Sequence, residues 1–366
     1  MKNILKWSLP LLLLLSISGY YGYHQSVFFK PQSIHNWRQS DCASLTLTYV
    51  QDGNPWWEPQ THALISDYGT SGKVAPSEIP VYYKIVSLFY GIFNQTDFWL
   101  RFINGLLFLG GIYSFSQTLI HASKNILWGT LCGALLFTSP VLVYYGNNFL
   151  TNAPAFGLAL MGLSSWYCFL KTYKKRYFWL FTALFLMAGS LKLPALFLFI
   201  SILLVEFIAL GRGKKRHLSW NKLIISGCIV FAPIISWILY ARHYNHVHHT
   251  TYFSTTIFPV WMYTLSETKE MLKLIWNNWG DSYFHMSLSF LFCVCTLAFL
   301  IPGILKRSLF KHLLYPLLSL ALIFFLLQFY TFRDHDYYTI NLFIVPAIIL
   351  LIISERLGRM RSLNPF

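Results

Sequence analysis

The hydrophobic pattern of this chain is a long alternation of apolar runs and short polar connections. Runs close to the ~20 residues that cross a bilayer recur at about 4–23, 98–120, 126–145, 153–170, 177–191, 193–210, 223–241, 285–305, 313–330 and 339–353. They predict an all-α polytopic membrane protein with about ten transmembrane helices, residues 1–366 forming a single integral-membrane domain. The first run is too long to be a removable signal peptide, and it lacks a small-residue cleavage site. No soluble domain is expected after the last run.

The polar positions are unevenly placed. Residues 24–97 form a long loop after the first run, and its aromatics (Trp37, Trp56, Trp57, Tyr68, Tyr82 and Tyr83) suit a membrane–water boundary. Within it, 36–50 reads as an amphipathic helix lying on the membrane, with Arg38 and Asp41 on one face. Residues 79–95 read similarly, after the Pro-flanked stretch A-P-S-E-I-P. Two later connections are also polar: 242–284, with four histidines between His243 and His249, and 331–338, which reads T-F-R-D-H-D-Y-Y.

Charge then fixes an expected orientation. With the N-terminus inside, the inner connections carry Lys2, Lys6, Lys124, Lys171, Lys174, Lys175, Arg176, Arg212, Lys214, Lys215, Arg216, Lys222, Lys306, Arg307, Lys311, Arg356, Arg359 and Arg361, 18 of the 28 Lys and Arg. Of 13 acidic residues, only Glu206 and Glu355 fall inside. Both termini are therefore expected in the cytoplasm, with 24–97 and an acidic face outside. The net charge of +15 reflects this bias and contact with anionic lipid head groups, and no nucleic-acid partner is expected. Cys42 is the one outward cysteine of six, so no disulfide framework is expected. P-loop, dinucleotide, C-x-x-C and H-E-x-x-H motifs are missing, which argues against nucleotide-driven transport and the usual zinc hydrolases.

Each candidate residue has a structural and a chemical reading. Asp41 is an N-cap or an Arg38 partner, or else a general base at the membrane surface. Glu78, between Pro76 and Pro80, caps the next helix or is a rigidly held site carboxylate. Lys192, between two apolar runs, snorkels or binds a lipid-borne phosphate, and Arg101 has the same two options. In R-D-H-D-Y-Y, either the residues form a polar cap or Arg333 and His335 face phosphate while Asp336, Tyr337 and Tyr338 face sugar. The spacing of the 243–249 histidines fits no familiar zinc site. A divalent cation, if used, would look to Asp41, Glu78, Asp334 and Asp336 for oxygen ligands, and no metal or other cofactor is expected.

At this point the chain resembles the polytopic glycosyltransferases of the GT-C fold that use polyprenyl-phosphate sugars, such as the protein O-mannosyltransferases and lipid A aminoarabinose transferases. W-R-Q-S-D at 37–41, S-E-I-P-V-Y-Y at 77–83, L-R-F-I-N at 100–104, S-L-K-L-P at 190–194 and H-D-Y-Y at 335–338 carry the resemblance. It departs where many relatives place a second carboxylate beside the catalytic Asp, since Cys42 follows Asp41 here.

The resemblance implies a bacterial inner-membrane enzyme that moves a sugar from a polyprenyl-phosphate donor to a glycan, lipid or protein acceptor at the extracytoplasmic face, with inversion. Asp41 would be the general base, with Glu78 as a second catalytic carboxylate. Arg38, Arg101, Lys192, Arg333 and His335 would hold the donor phosphate. Tyr82, Asp336, Tyr337 and Tyr338 would contact sugar or acceptor. The competing class is a transporter or flippase of a lipid-linked or amphipathic substrate, which calls for mid-bilayer charge and broken paired helices. A membrane scaffold is a third class.

Overall fold

The computed structural model describes residues 2–93, 96–213, 217–253, 257–301, 308 and 310–363. Lys214, Lys215, Arg216, Lys306, Arg307, the Lys2 side chain and the 302–305 end of one apolar run lie outside the described residues. Among those described, helices account for most of the chain and there is no strand beyond isolated bridges.

The chain begins with α1 (Lys2–Tyr20) and a short turn, α2 (Tyr23–Ser26), before α3 (Asn36–Gln51) and α4 (Val81–Phe93). A long α5 (Thr96–Ser123) leads to α6 (Ile126–Phe137) and α7 (Pro140–Gly146), then to α8 (Asn152–Thr172), α9 (Lys175–Leu191), α10 (Phe197–Gly211) and α11 (Trp220–Val247). The rest comprises α12 (Leu265–Tyr283), α13 (Met286–Leu300), α14 (Lys311–Leu327), the short α15 (Thr331–Asp334) and α16 (Ile344–Leu363), which follows a 3-10 stretch over Asp336–Phe343.

Five helical stretches are long and apolar enough to cross a membrane among the described residues, or up to seven if each bent pair is one span. An expected count of about ten is reached only by admitting shorter apolar helices such as Lys311–Leu327. The expected run at 126–145 is a broken one: α6 and α7 meet at 78°. Pro140 opens α7, and a residue without an N–H starts a helix better than it continues one. α12, with a Thr264–Glu267 capping box, turns 99° into α13.

The core explains the order of packing. α8 is buried along almost its whole length, as a helix that is apolar all round should be, and it packs on α5 and α9. α5 in turn carries α6 and α16. Gly111 and Gly157 set the α5–α8 distance: a Cβ on Gly157 would lie 2.3 Å from the Leu107 carbonyl oxygen, and one on Gly111 as close to Gly157 itself. The backbones therefore touch, as small residues permit between membrane helices.

The 52–80 segment is ordered by α11. Asn245 accepts from the Ala75 amide at 2.7 Å and donates to its carbonyl at 2.9 Å. Trp237 Nε1 donates to the Pro76 carbonyl at 3.0 Å, and His248 sits 3.2 Å from Asp67. A carboxylate placed next to these anchors is held on stiff backbone.

Candidate active site

Glu78 is where the long loop meets the helices. Its neighbour Ile79 donates to the Ser190 carbonyl at 2.8 Å, which ties the segment to the end of α9. There the chain breaks: Lys192 is extended (φ −153°, ψ 123°) between α9 and the turn that begins α10, because Pro194 forbids a continuous helix. The break turns the lysine inward. Its Nζ lies 2.5 Å from Glu78 Oε1, and Arg38 Nη2 from α3 reaches the same oxygen at 2.7 Å. Thr151 Oγ1 donates to it at 3.4 Å and Ser77 Oγ to Oε2 at 3.1 Å.

Glu78 is 2% exposed. Burial alone raises a carboxyl pKa, but Lys192 and Arg38 outweigh it and hold this one at about 2. It is ionised at neutral pH. Arg38 has a second nitrogen, Nη1, that is buried without a hydrogen-bond partner and stands 4.0 Å from Asp41 Oδ2. Its guanidinium lies 4.4 Å from the centre of the Phe253 ring.

Asp41, one turn along α3 from Arg38, is 8% exposed. Burial pushes its carboxyl above the ordinary value, against the pull of a hydrogen bond from Tyr252 and of the Arg38 charge. The Tyr252 hydroxyl donates to Oδ2 at 2.7 Å. Asp41 is thus the more basic of the two carboxylates, and among the described residues only its Oδ2 accepts a hydrogen bond.

An aromatic wall faces this pair. His35, Trp37, Tyr337 and Tyr338 all lie with ring centres 5.0–6.1 Å from His335 or His35. Burial and His35 lower the His335 pKa, and its Nδ1 has no hydrogen-bond partner; it is a neutral polar group rather than a cation. Asp336 is buried and engaged, accepting from Tyr145 at 2.6 Å with His35 at 3.4 Å.

An apolar cavity of about 590 Å³ lies between α4, α5, α8, α9 and α11. Ile79 and Leu191, the chain neighbours of Glu78 and Lys192, line it with Tyr82 and Ser190. The Tyr82 hydroxyl is bonded to Asn104.

The structure therefore gathers Arg38, Glu78 and Lys192 into one cluster with Asp41 beside it. Arg101 and Arg333 have other partners. Arg101 donates to the Asn147 carbonyl at 2.9 Å and the Lys30 carbonyl at 3.2 Å, and it stacks on Phe149. Arg333 is paired with Asp334 at 2.7 Å and bonded to Tyr330. Tyr252, Phe253, His35 and Thr151 were not marked by the sequence; they bear no motif, and only folding brings them here. No trio of His, Cys, Asp or Glu converges as a metal site among the described residues.

The fold has solved counterparts. The chain superposes on the crystal structure of ArnT from Cupriavidus metallidurans bound to undecaprenyl phosphate with a TM-score of 0.59, at 13% identity over 94% of this chain. The fold is GT-C. The apo ArnT structure matches with a TM-score of 0.57, also at 13% identity over 94% of this chain. The chain spans 59% of the ArnT chain in both comparisons. No protein-family model matches it, and no curated protein does. With its apolar helices, the GT-C fold makes this a multi-pass membrane protein.

Proposed function

We propose that the protein is a membrane glycosyltransferase that moves a sugar from a polyprenyl-phosphate donor to an acceptor of the cell envelope, at the extracytoplasmic face and with inversion. The observation that carries this reading is the buried Arg38–Glu78–Lys192 cluster, whose chain neighbours Ile79 and Leu191 line the 590 Å³ apolar cavity, with Asp41 one helical turn from Arg38. A long isoprenoid tail needs an apolar channel of this kind and its phosphate needs cations at the end of it. The likeness to a protein solved with undecaprenyl phosphate supports the same assignment.

In this mechanism the lipid tail occupies the cavity and its phosphate meets Lys192 and the unpartnered Nη1 of Arg38. Glu78 is their counter-ion: it keeps two cations together in a dry place until the phosphate supplies the negative charge. Asp41 removes the proton from the acceptor hydroxyl as the oxygen bonds to the anomeric carbon. The bond from that carbon to the phosphate oxygen breaks and polyprenyl phosphate leaves, its charge met by Arg38 and Lys192. The leaving group is already a phosphate, so no protein acid has to protonate it. The aromatic wall around His335 offers ring faces and a neutral imidazole to the sugar.

Purified protein given polyprenyl-phosphate sugars and envelope acceptors should release polyprenyl phosphate. Intact donors after exhaustive incubation with a broad acceptor set would sink the proposal.

A further inference from the structure

The end of the bundle away from Asp41 holds a second built feature. A polar cavity of about 340 Å³ opens among the last turns of α5, α8 and α16. Its lining includes His121, Lys124, Tyr167, Lys171, Glu355 and Arg359. All three helices come from the candidate site: Arg101 and Asn104 are early on α5, Asn152 opens α8, and the Asp336–Phe343 stretch feeds α16. At 1.5 Å rise per residue, α5 alone separates Arg101 from His121 by roughly 30 Å. Nothing in the proposed transfer reaction uses this cavity.

We propose that it is a binding site for the phosphate head group of an anionic phospholipid, in the leaflet opposite the catalytic face. Three formal cations, Lys124, Lys171 and Arg359, line the cavity against one carboxylate. That carboxylate is occupied, since Ser308 donates to Glu355 Oε2 at 2.9 Å and Arg359 lies 3.8 Å from it. Further positive charge stands at the rim. Lys6 Nζ is 2.7 Å from His121 Nε2, and Arg361 donates to the Lys124 carbonyl at 3.4 Å.

A competing explanation is that these cations serve the negative ends of the three helices. Each helix C-terminus carries roughly half a negative charge, felt within its last turn. With Arg359 set against Glu355, the charges of Lys6, Lys171 and Arg361 alone exceed the roughly one and a half charges of the three helix ends among the described residues, which favours an anion. Its walls are also fixed: a Cβ on Gly358 would lie 2.0 Å from the Ala122 carbonyl oxygen, so α16 and α5 meet backbone to backbone at the rim.

The apolar surroundings favour a lipid over a free anion. Leu127 and Leu131, four apart on α6 and 60% and 53% exposed, begin three residues after Lys124. They give acyl chains an apolar strip leading from the charged cavity. Basic pockets between helices at this level of a membrane suit phosphate head groups.

Native mass spectrometry of the full chain in detergent tests this with phosphatidylglycerol, phosphatidylcholine and inorganic phosphate as probes. Phosphatidylglycerol should be retained in preference to phosphatidylcholine. Lys171→Gln with Arg359→Gln should weaken its binding by about tenfold or more, while Lys269→Gln with Lys273→Gln on α12 should leave it unchanged. Should the double variant fail to fold, Lys171→Gln alone, at an exposed side chain lying over the Tyr167 ring, should weaken binding about fivefold. Unchanged phosphatidylglycerol affinity in a folded variant, or equal retention of phosphatidylcholine, overturns the proposal. Displacement of the lipid by millimolar inorganic phosphate overturns the lipid as its ligand. The readout is binding, so it stands whether or not the transferase reading survives.

Discussion

The Tyr252 hydroxyl donates to Asp41 Oδ2 at 2.7 Å across 211 residues of chain. This bond stabilises the ionised carboxylate, while burial favours its protonated form. Their balance sets the pH at which Asp41 is a competent base. Activity should fall as the pH drops through a carboxyl pKa above the ordinary range. Tyr252→Phe should move that acidic limb upward by about one unit, with a smaller loss on the alkaline plateau. An unmoved limb would make Tyr252 a packing residue.

Asp41→Asn should cost about 10²–10⁴-fold in turnover, the usual contribution of a positioned acid or base. Expression and thermal unfolding should change little, because Asn still accepts the Tyr252 bond. Near-normal turnover in this variant would remove Asp41 from the chemistry.

Lys192→Ala should raise KM for the lipid donor more than it lowers kcat, since the ammonium meets phosphate in the ground state. The measurement is a donor titration at saturating acceptor. Unchanged donor affinity would leave Lys192 as a partner of Glu78 and nothing more.

Glu78 predicts an acid-dependent loss of stability. Its carboxyl ordinarily titrates near 4.5 and is held at about 2 in the fold. The stabilisation is therefore complete above the unfolded value and is lost as the pH falls toward about 2. Thermal unfolding of wild type minus Glu78→Gln, followed from pH 5 to pH 2, should show the difference shrinking over that window. At neutral pH, Glu78→Gln should destabilise by about 3–5 kcal/mol, because two buried cations lose their counter-ion. A pH-independent difference would contradict the assignment of charge.

The orientation read from the basic residues is checked by cysteine labelling in a background without the native thiols. Leu64→Cys and Thr70→Cys, both exposed, should react with impermeant reagents in intact cells. Lys174→Cys, exposed at the other end, should react only after permeabilisation. The reverse pattern would place the Asp41 face in the cytoplasm.

Much of this protein was legible before folding, and the limit of legibility has a physical cause. A helix over 36–50 that sets Arg38 and Asp41 on one face follows from helical spacing alone, and α3 forms there. Glu78 and Lys192 could each be singled out as rare charges beside proline or apolar runs. Their mutual contact could not, because nothing local encodes a pairing between residues 114 positions apart. The same holds for Tyr252, an unremarkable tyrosine in a loop until it reaches Asp41. The bend inside 126–145 was written in Ser139–Pro140, but apolar content along the run concealed it.

The glycine contact between α5 and α8 has a mechanical consequence. Two backbones already touching cannot slide closer, and the surrounding aromatic core resists their parting. Asn104 and Thr151, carried by α5 and by the start of α8, thus stand on a fixed post under Tyr82 and Glu78. Tyr252 and Phe253 meet Asp41 and Arg38 more lightly, through a hydrogen bond and a ring face. The floor of the site is built to stay, and in the proposed reaction a substrate hydroxyl and a phosphate would take the place of those lighter contacts.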